Sequence, residues 1–214
     1  MSPVRLGAFT FGALVLLALI RGVSAADDAN RVEATRFAEE SIAEHHHADK
    51  LTDGWAAAYD HGIALAEKAI ETDPSYADAY YALFVNLGRK SQRSGFAAQM
   101  KTFGRLKELL RKALELDPHH AHAWEATGEM LIQLPWIMGG SEEAGERALL
   151  RSAELDSRWP KPALRLAELH WKRGNVAQAR VQAERARDLA HTAGDADYFQ
   201  EAEQLLKEIA GEGR

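Results

Sequence analysis

One short phrase is written three times along this chain. It reads Ala66-Glu67-Lys68-Ala69-Ile70-Glu71-Thr72-Asp73-Pro74, then Leu110-Arg111-Lys112-Ala113-Leu114-Glu115-Leu116-Asp117-Pro118, then Leu150-Arg151-Ser152-Ala153-Glu154-Leu155-Asp156. A second phrase follows the first two copies, as Ala77-Asp78-Ala79-Tyr80-Tyr81-Ala82-Leu83 and as Ala121-His122-Ala123-Trp124-Glu125-Ala126-Thr127-Gly128. The two Asp-Pro pairs stand 44 residues apart, and recurrence on that scale builds a fold by stacking helix pairs on their neighbours. Alanine, leucine and glutamate dominate, and no run alternates apolar with polar residues as a half-buried strand would. The class is therefore all-α. With 46% hydrophobic and 27% charged residues, the chain has apolar material for one domain of ordinary size.

The spacing predicts helices over 29–46, 55–72, 76–93, 97–116, 121–134, 141–155, 161–173, 176–190 and 195–210. Eight of these make four antiparallel pairs. The last, with Leu205, Leu206 and Ile209 on one face and Asp195 as its N-cap, has the pattern of a helix capping a stack.

The amino terminus has the three regions of a secretory signal peptide: Arg5, an apolar run from Leu6 to Ile20, and the small residues Val23-Ser24-Ala25-Ala26. Residues 1–25 are read as that leader and 26–214 as the repeat domain. The apolar run is shorter than the roughly 20 residues a membrane span needs, although a retained anchor is the alternative. No cysteine occurs, so disulfides, thiolate metal sites and a lipid-bearing cysteine are all excluded. Export without disulfides fits the bacterial periplasm. The net charge of −6 is spread without a basic stripe, which argues against nucleic acid as a partner.

The repeated phrases resemble the tetratricopeptide family, whose repeat joins a first helix marked by a bulky, an apolar and a small residue to a second helix rich in alanine. Trp124, Thr127, Gly128 and Leu131 match the first-helix theme, and so do Tyr80, Leu83 and Leu87, with Phe84 where a small residue is usual. The last repeat places Ala163, Leu166, Ala167 and His170 on its first helix, turns at Gly174-Asn175, and places Ala179, Ala183 and Ala186 on its second. His191 replaces the closing proline, which predicts a looser end. The long segment Gly88 to Phe96 and the connection Leu134-Pro135-Trp136-Ile137-Met138-Gly139-Gly140-Ser141 resemble, more particularly, two groups of helical-repeat proteins. The nearer is the periplasmic T-component of tripartite (TRAP) transporters, and the more distant is the regulator of microtubule dynamics family. The resemblance implies a tetratricopeptide-like α-solenoid that binds or scaffolds, with self-assembly into a homo-oligomer left open.

Chemistry-bearing motifs are weak by comparison. His45, His46 and His47 point about 100° apart on a helix and do not converge on one ion, and His119, His120 and His122 have only Asp117 and Glu125 for company. No nucleophile elbow, phosphate loop, His-Glu-x-x-His or dinucleotide fingerprint is present, so neither enzymatic activity nor a cofactor or metal is expected. Pro135 breaks a helix that restarts at Ser141, an N-cap followed by Glu142 and Glu143 where the helix dipole favours acids. Gly139 and Gly140 suit a loop requiring positive φ.

The resemblance implies that the first helices line a concave face presenting Tyr81, Val85, His122, Glu125, Glu129, Leu164, Glu168 and Trp171, with Trp136, Gly139 and Gly140 in the adjoining loop. That face is mixed aromatic and acidic, and it would repel a peptide carboxylate. The expected function is an exported interaction or scaffolding module for a protein or peptide partner. The alternative is a TRAP-associated periplasmic carrier with an enclosed pocket near Tyr81, Glu125, Trp136 and Trp171.

Overall fold

In the computed structural model, which describes residues 10–212 with side chains placed from 25 to 211, nine α-helices and one 3₁₀ turn succeed one another without a strand. They are α1 (Thr10–Lys50), α2 (Trp55–Thr72), α3 (Ala77–Ser94), α4 (Phe96–Leu116), α5 (Ala121–Gln133), the 3₁₀ turn Trp136–Met138, α6 (Glu142–Leu155), α7 (Pro160–Lys172), α8 (Val176–Ala193) and α9 (Ala196–Glu212). The all-α expectation holds, and seven of the nine helices begin and end within two residues of the predicted bounds. Two run longer. Neither proline nor glycine interrupts Val23–Lys50, so nothing stops α1 from extending beyond 29–46 in both directions. The α8 helix continues past position 190 to Ala193, where Gly194 N–H donates to the His191 carbonyl and Asp195 N–H to that of Ala190. This end is closed by paired C-terminal hydrogen bonds in place of the missing proline, and the looser end predicted at His191 is corrected. The first nine residues of the leader lie outside the described residues. Among those described, no helix is long and apolar enough to cross a membrane.

The repeated phrase owes its recurrence to the corner it builds. At each copy the aspartate ends a helix and its Oδ1 accepts the backbone N–H two residues on: Asp73 from Ser75 at 2.9 Å, Asp117 from His119 at 2.8 Å, Asp156 from Arg158 at 3.1 Å. This side-chain mimic of a turn favours aspartate where a helix must stop. The second phrase then fastens the corner. Tyr80 Oη donates to the Pro74 carbonyl and Trp124 Nε1 to the Pro118 carbonyl, each at 2.9 Å. The third copy has Ser157 in the proline's place and Ala163 in the ring's.

The chain divides into two compact units, Met1–Leu109 and Leu110–Arg214. In the first, α1 packs on α2 and α3, and the core joins Phe37, Ala38, Ala66, Ala69, Ala79, Ala82, Leu83 and Leu109. A buried polar bridge ties its three first helices together. Ser41 Oγ donates to the Gly62 carbonyl at 2.7 Å, and Asn86 Nδ2 reaches Ser41 Oγ at 3.0 Å.

In the second unit α5 packs on α6, α7 on α8, and α8 on α9. The α5–α6 crossing needs glycine on both sides, since a methyl group at Gly128 would sit 2.9 Å from the Gly145 carbonyl oxygen, and one at Gly145 would sit 2.8 Å from that of Gly128. Ala163, Leu164, Ala167, Ala179, Ala183, Ala186, Ala202, Leu205 and Ile209 form its core. Small residues let these backbones approach closely. Asp195 caps α9 as expected, accepting from Tyr198 N–H at 3.1 Å.

Candidate functional site

Helix α7 touches α5, α6, α8 and α9, and so buries most of its circumference: Pro162, Ala163, Leu164, Leu166, Ala167, Leu169 and His170 are all covered. What remains is a stripe at helical spacing, Lys161, Arg165, Glu168 and Lys172, bordered by Trp171. Two open grooves flank this stripe. One, of about 370 Å³, runs between α5 and α7 and is lined by Glu129, Ile132, Gln133, Arg165, Glu168, Leu169 and Lys172. The other, of about 570 Å³, runs between α7 and α9 and is lined by Glu168, Trp171, Gln200, Glu201, Gln204, Leu205 and Glu208. Glu168 belongs to both, so α5, α7 and α9 present one continuous face.

Beneath that face lies a buried charge network. Lys161 Nζ is 2.9 Å from Glu125 Oε1 and 3.3 Å from Glu129 Oε2, and Arg165 Nε is 2.6 Å from Glu129 Oε1. The Arg165 guanidinium also meets Glu168 at 2.8 Å and, more distantly, Glu201 at 3.7 Å. Glu125 is completely buried, with Lys161 as the cation against its carboxyl. Burial therefore pushes the Glu125 carboxyl up to about 8, against the pull of Lys161. Burial acts on Glu129 in the same sense, but Lys161 and Arg165 outweigh it and hold that carboxyl below its ordinary value. A neutral Glu125 beside an ionised Glu129 is the arrangement these surroundings favour. The network fixes the stripe of α7 against α5, so the face above it is preformed.

The residues anticipated for a binding face separate into three groups. Glu129, Glu168 and Trp171 line the grooves. Glu125 and Leu164 do not. Glu125 lies under Lys161, and Leu164 points into the α7–α8–α9 core, because α7 is enclosed on more sides than a first helix with one covered face would be. The remainder stand elsewhere. Tyr81 and Val85 sit half-buried on α3 of the first unit, with Tyr81 stacked on Phe84 at 6.3 Å. The ring of His122 lies 4.1 Å from that of Trp159, about two turns before the groove residues of α5. Trp136 is 84% exposed and lines neither groove.

The loop glycines have structural work. Gly139 takes φ 91°, and a methyl group at Gly140 would fall 1.9 Å from the Leu134 carbonyl oxygen. Ser141 accepts from Ala144 N–H at 3.2 Å and caps α6 as expected.

The sequence alone does not single out Lys161 and Arg165, nor Gln200, Glu201, Gln204 and Glu208, whose helix has the pattern of a cap. A signal for the first two existed. Glu125 and Glu129 are four apart, Lys161 and Arg165 are four apart, and the pairs are one repeat apart, so stacked first helices bring acid onto base.

Helix pairs with alanine-rich contacts, aspartate corners and a face made by first helices define a tetratricopeptide-like helical-repeat protein. Solved structures agree on the fold. The chain aligns with TTC0263, a tetratricopeptide protein of Thermus thermophilus, at 18% identity and a TM-score of 0.58, covering 90% of this chain and 96% of that one. It aligns with PilF of Pseudomonas aeruginosa at 19% identity and a TM-score of 0.52, covering 86% and 78%. No curated protein sequence matches it. The family model described as regulator of microtubule dynamics protein 1-3 matches residues 18–137. The chain belongs to that family.

Proposed function

We propose that this protein is a partner-binding module of the cell envelope whose α5–α7–α9 face holds a segment of another protein. One observation carries the reading: an open, preformed face with an apolar floor of Trp171 and Leu205 and a rim of exposed acids and amides. A surface of this kind binds by burying a few anchors and needs no reacting group, and the reading assigns the chain no reaction and no cofactor. The leader read at residues 1–25, the absence of cysteine and the acidic charge support export to the periplasm and a protein partner in preference to nucleic acid. The family's description concerns microtubule dynamics, whereas the leader of this chain favours an envelope partner.

The test is a photocrosslinking residue placed at Gln133 or at Gln204 in the two grooves, with Arg180 on α8 as the control position. Capture of one envelope protein from both groove positions and not from Arg180 supports the reading, and equal capture at all three sinks it. A TRAP-associated carrier would instead enclose a small molecule near Tyr81, Glu125, Trp136 and Trp171. Within the second unit Glu125 is buried and Trp136 is exposed, which favours the open face over that alternative. Stabilisation of the protein by a single metabolite in a thermal-shift screen would favour the carrier over the partner-binding module.

A further inference from the structure

The two grooves on this face differ in charge. Between α5 and α7, acids and bases alternate and each base is engaged: Lys172 Nζ meets Glu142 at 2.7 Å, and Arg165 meets Glu129 and Glu168. Between α7 and α9 the lining holds three glutamates, two glutamines, Trp171 and Leu205, with no cationic residue among them. Arg165 approaches this groove only from its α7 edge, and its tightest contact, at 2.6 Å, is spent on Glu129. Glu208 is met by the neutral amide of Gln204 at 2.9 Å, while Glu168 is paired with Arg165 at 2.8 Å and the half-exposed Glu201 lies 3.7 Å from the same guanidinium. One guanidinium shared by Glu168 and Glu201 against three glutamates leaves the rim net negative, over a floor in which the half-buried Trp171 packs against the core and buried Leu205.

That combination matches the two ends of a long cationic side chain. A lysine or arginine lays its methylene stem on apolar surface and keeps its head among acids, and a cation over the face of an indole gains further attraction. An acidic segment, or the carboxylate that ends a peptide, would meet repulsion there. The volume of about 570 Å³ is enough for a few side chains of a bound segment.

We infer that the α7–α9 groove is selective for a basic peptide segment, seating a lysine or arginine stem on Trp171 with its charged head among Glu168, Glu201 and Glu208. The inference rests on the reading of this face as a peptide-binding surface and adds the chemical class of its occupant.

The test uses the full chain and a set of fluorescent peptides of one length and one apolar pattern, whose variable positions are lysine and arginine, glutamine, or glutamate. Anisotropy titration is expected to rank them basic, neutral, acidic, with the basic peptide weakened by added salt. In the double variant Glu201→Gln, Glu208→Gln, affinity for the basic peptide is expected to fall about tenfold, the size of losing one or two partly exposed charge contacts. Both positions are on the surface, and an unchanged melting curve verifies that the variant is folded. Equal binding of all three peptides, or basic-peptide affinity that the double variant leaves unchanged, overturns the inference while groove-specific crosslinking still stands. Basic-peptide binding that is lost equally when Arg180 on α8 is replaced by glutamate would place the site elsewhere and overturn it as well.

Discussion

Glu125 shows how a single side chain can be read correctly for its helix and wrongly for its surroundings. Its raised value means that the folded chain holds the proton more tightly than the unfolded chain, whose carboxyl stays near 4.5. The associated stability is complete below that ordinary value and is lost as pH rises through about 8. Urea midpoints taken from about pH 5 to about pH 9 should therefore fall, and the Glu125→Gln variant should flatten that decline. A variant that keeps the wild-type slope would remove Glu125 from the account. Its partner has the opposite character. Lys161 neutralises the ionised Glu129 carboxylate and sits against the protonated Glu125, so Lys161→Met should cost about 3–5 kcal/mol, the usual penalty for stripping one member from a buried ion pair. A loss below about 1 kcal/mol in chemical denaturation would show the network to be solvated. At the α5–α6 crossing, Gly145→Ala forces a methyl against the Gly128 carbonyl and Ile132, and a destabilisation of about 1–3 kcal/mol is expected from overpacking.

Among the helices, the corners are the repeating unit of construction. Trp124→Phe keeps the ring and deletes the hydrogen bond to Pro118, which should cost about 1 kcal/mol. Asp117→Ala removes the side-chain turn and should cost a similar amount. The two act on one corner, so a double-mutant cycle should show coupling, and strictly additive losses would argue against a shared clasp. These elements were legible in sequence because their causes are local: aspartate stops a helix, serine at 141 starts one, alanine at every third or fourth place marks the buried side. The candidate face was legible only in part. Periodicity assigned Glu129, Glu168 and Trp171 to a common side, but it does not say how many neighbours a helix has. Leu164 is covered because α9 lies beside α7, and Glu125 because α7 brings Lys161 across it. Both facts come from stacking between repeats and leave no mark within either helix alone.

For the molecule as a whole, α9 does two jobs. Ala202, Leu205 and Ile209 close the core of the second unit, while Gln200, Glu201, Gln204 and Glu208 form one wall of its groove. Truncation before Ala196 should uncover Ala163, Leu164 and Ala183, lower the unfolding temperature and raise dye binding to exposed apolar surface. A truncated chain with an unchanged melting curve would show that the cap is dispensable. The clasp from an aromatic ring to the preceding proline carbonyl closes within a single corner, spanning only Pro74 to Tyr80 or Pro118 to Trp124. Each such corner is self-sufficient, which suits it to gene duplication: copies can be added or dropped, and one of them, at Asp156, can shed both ring and proline and keep its aspartate turn.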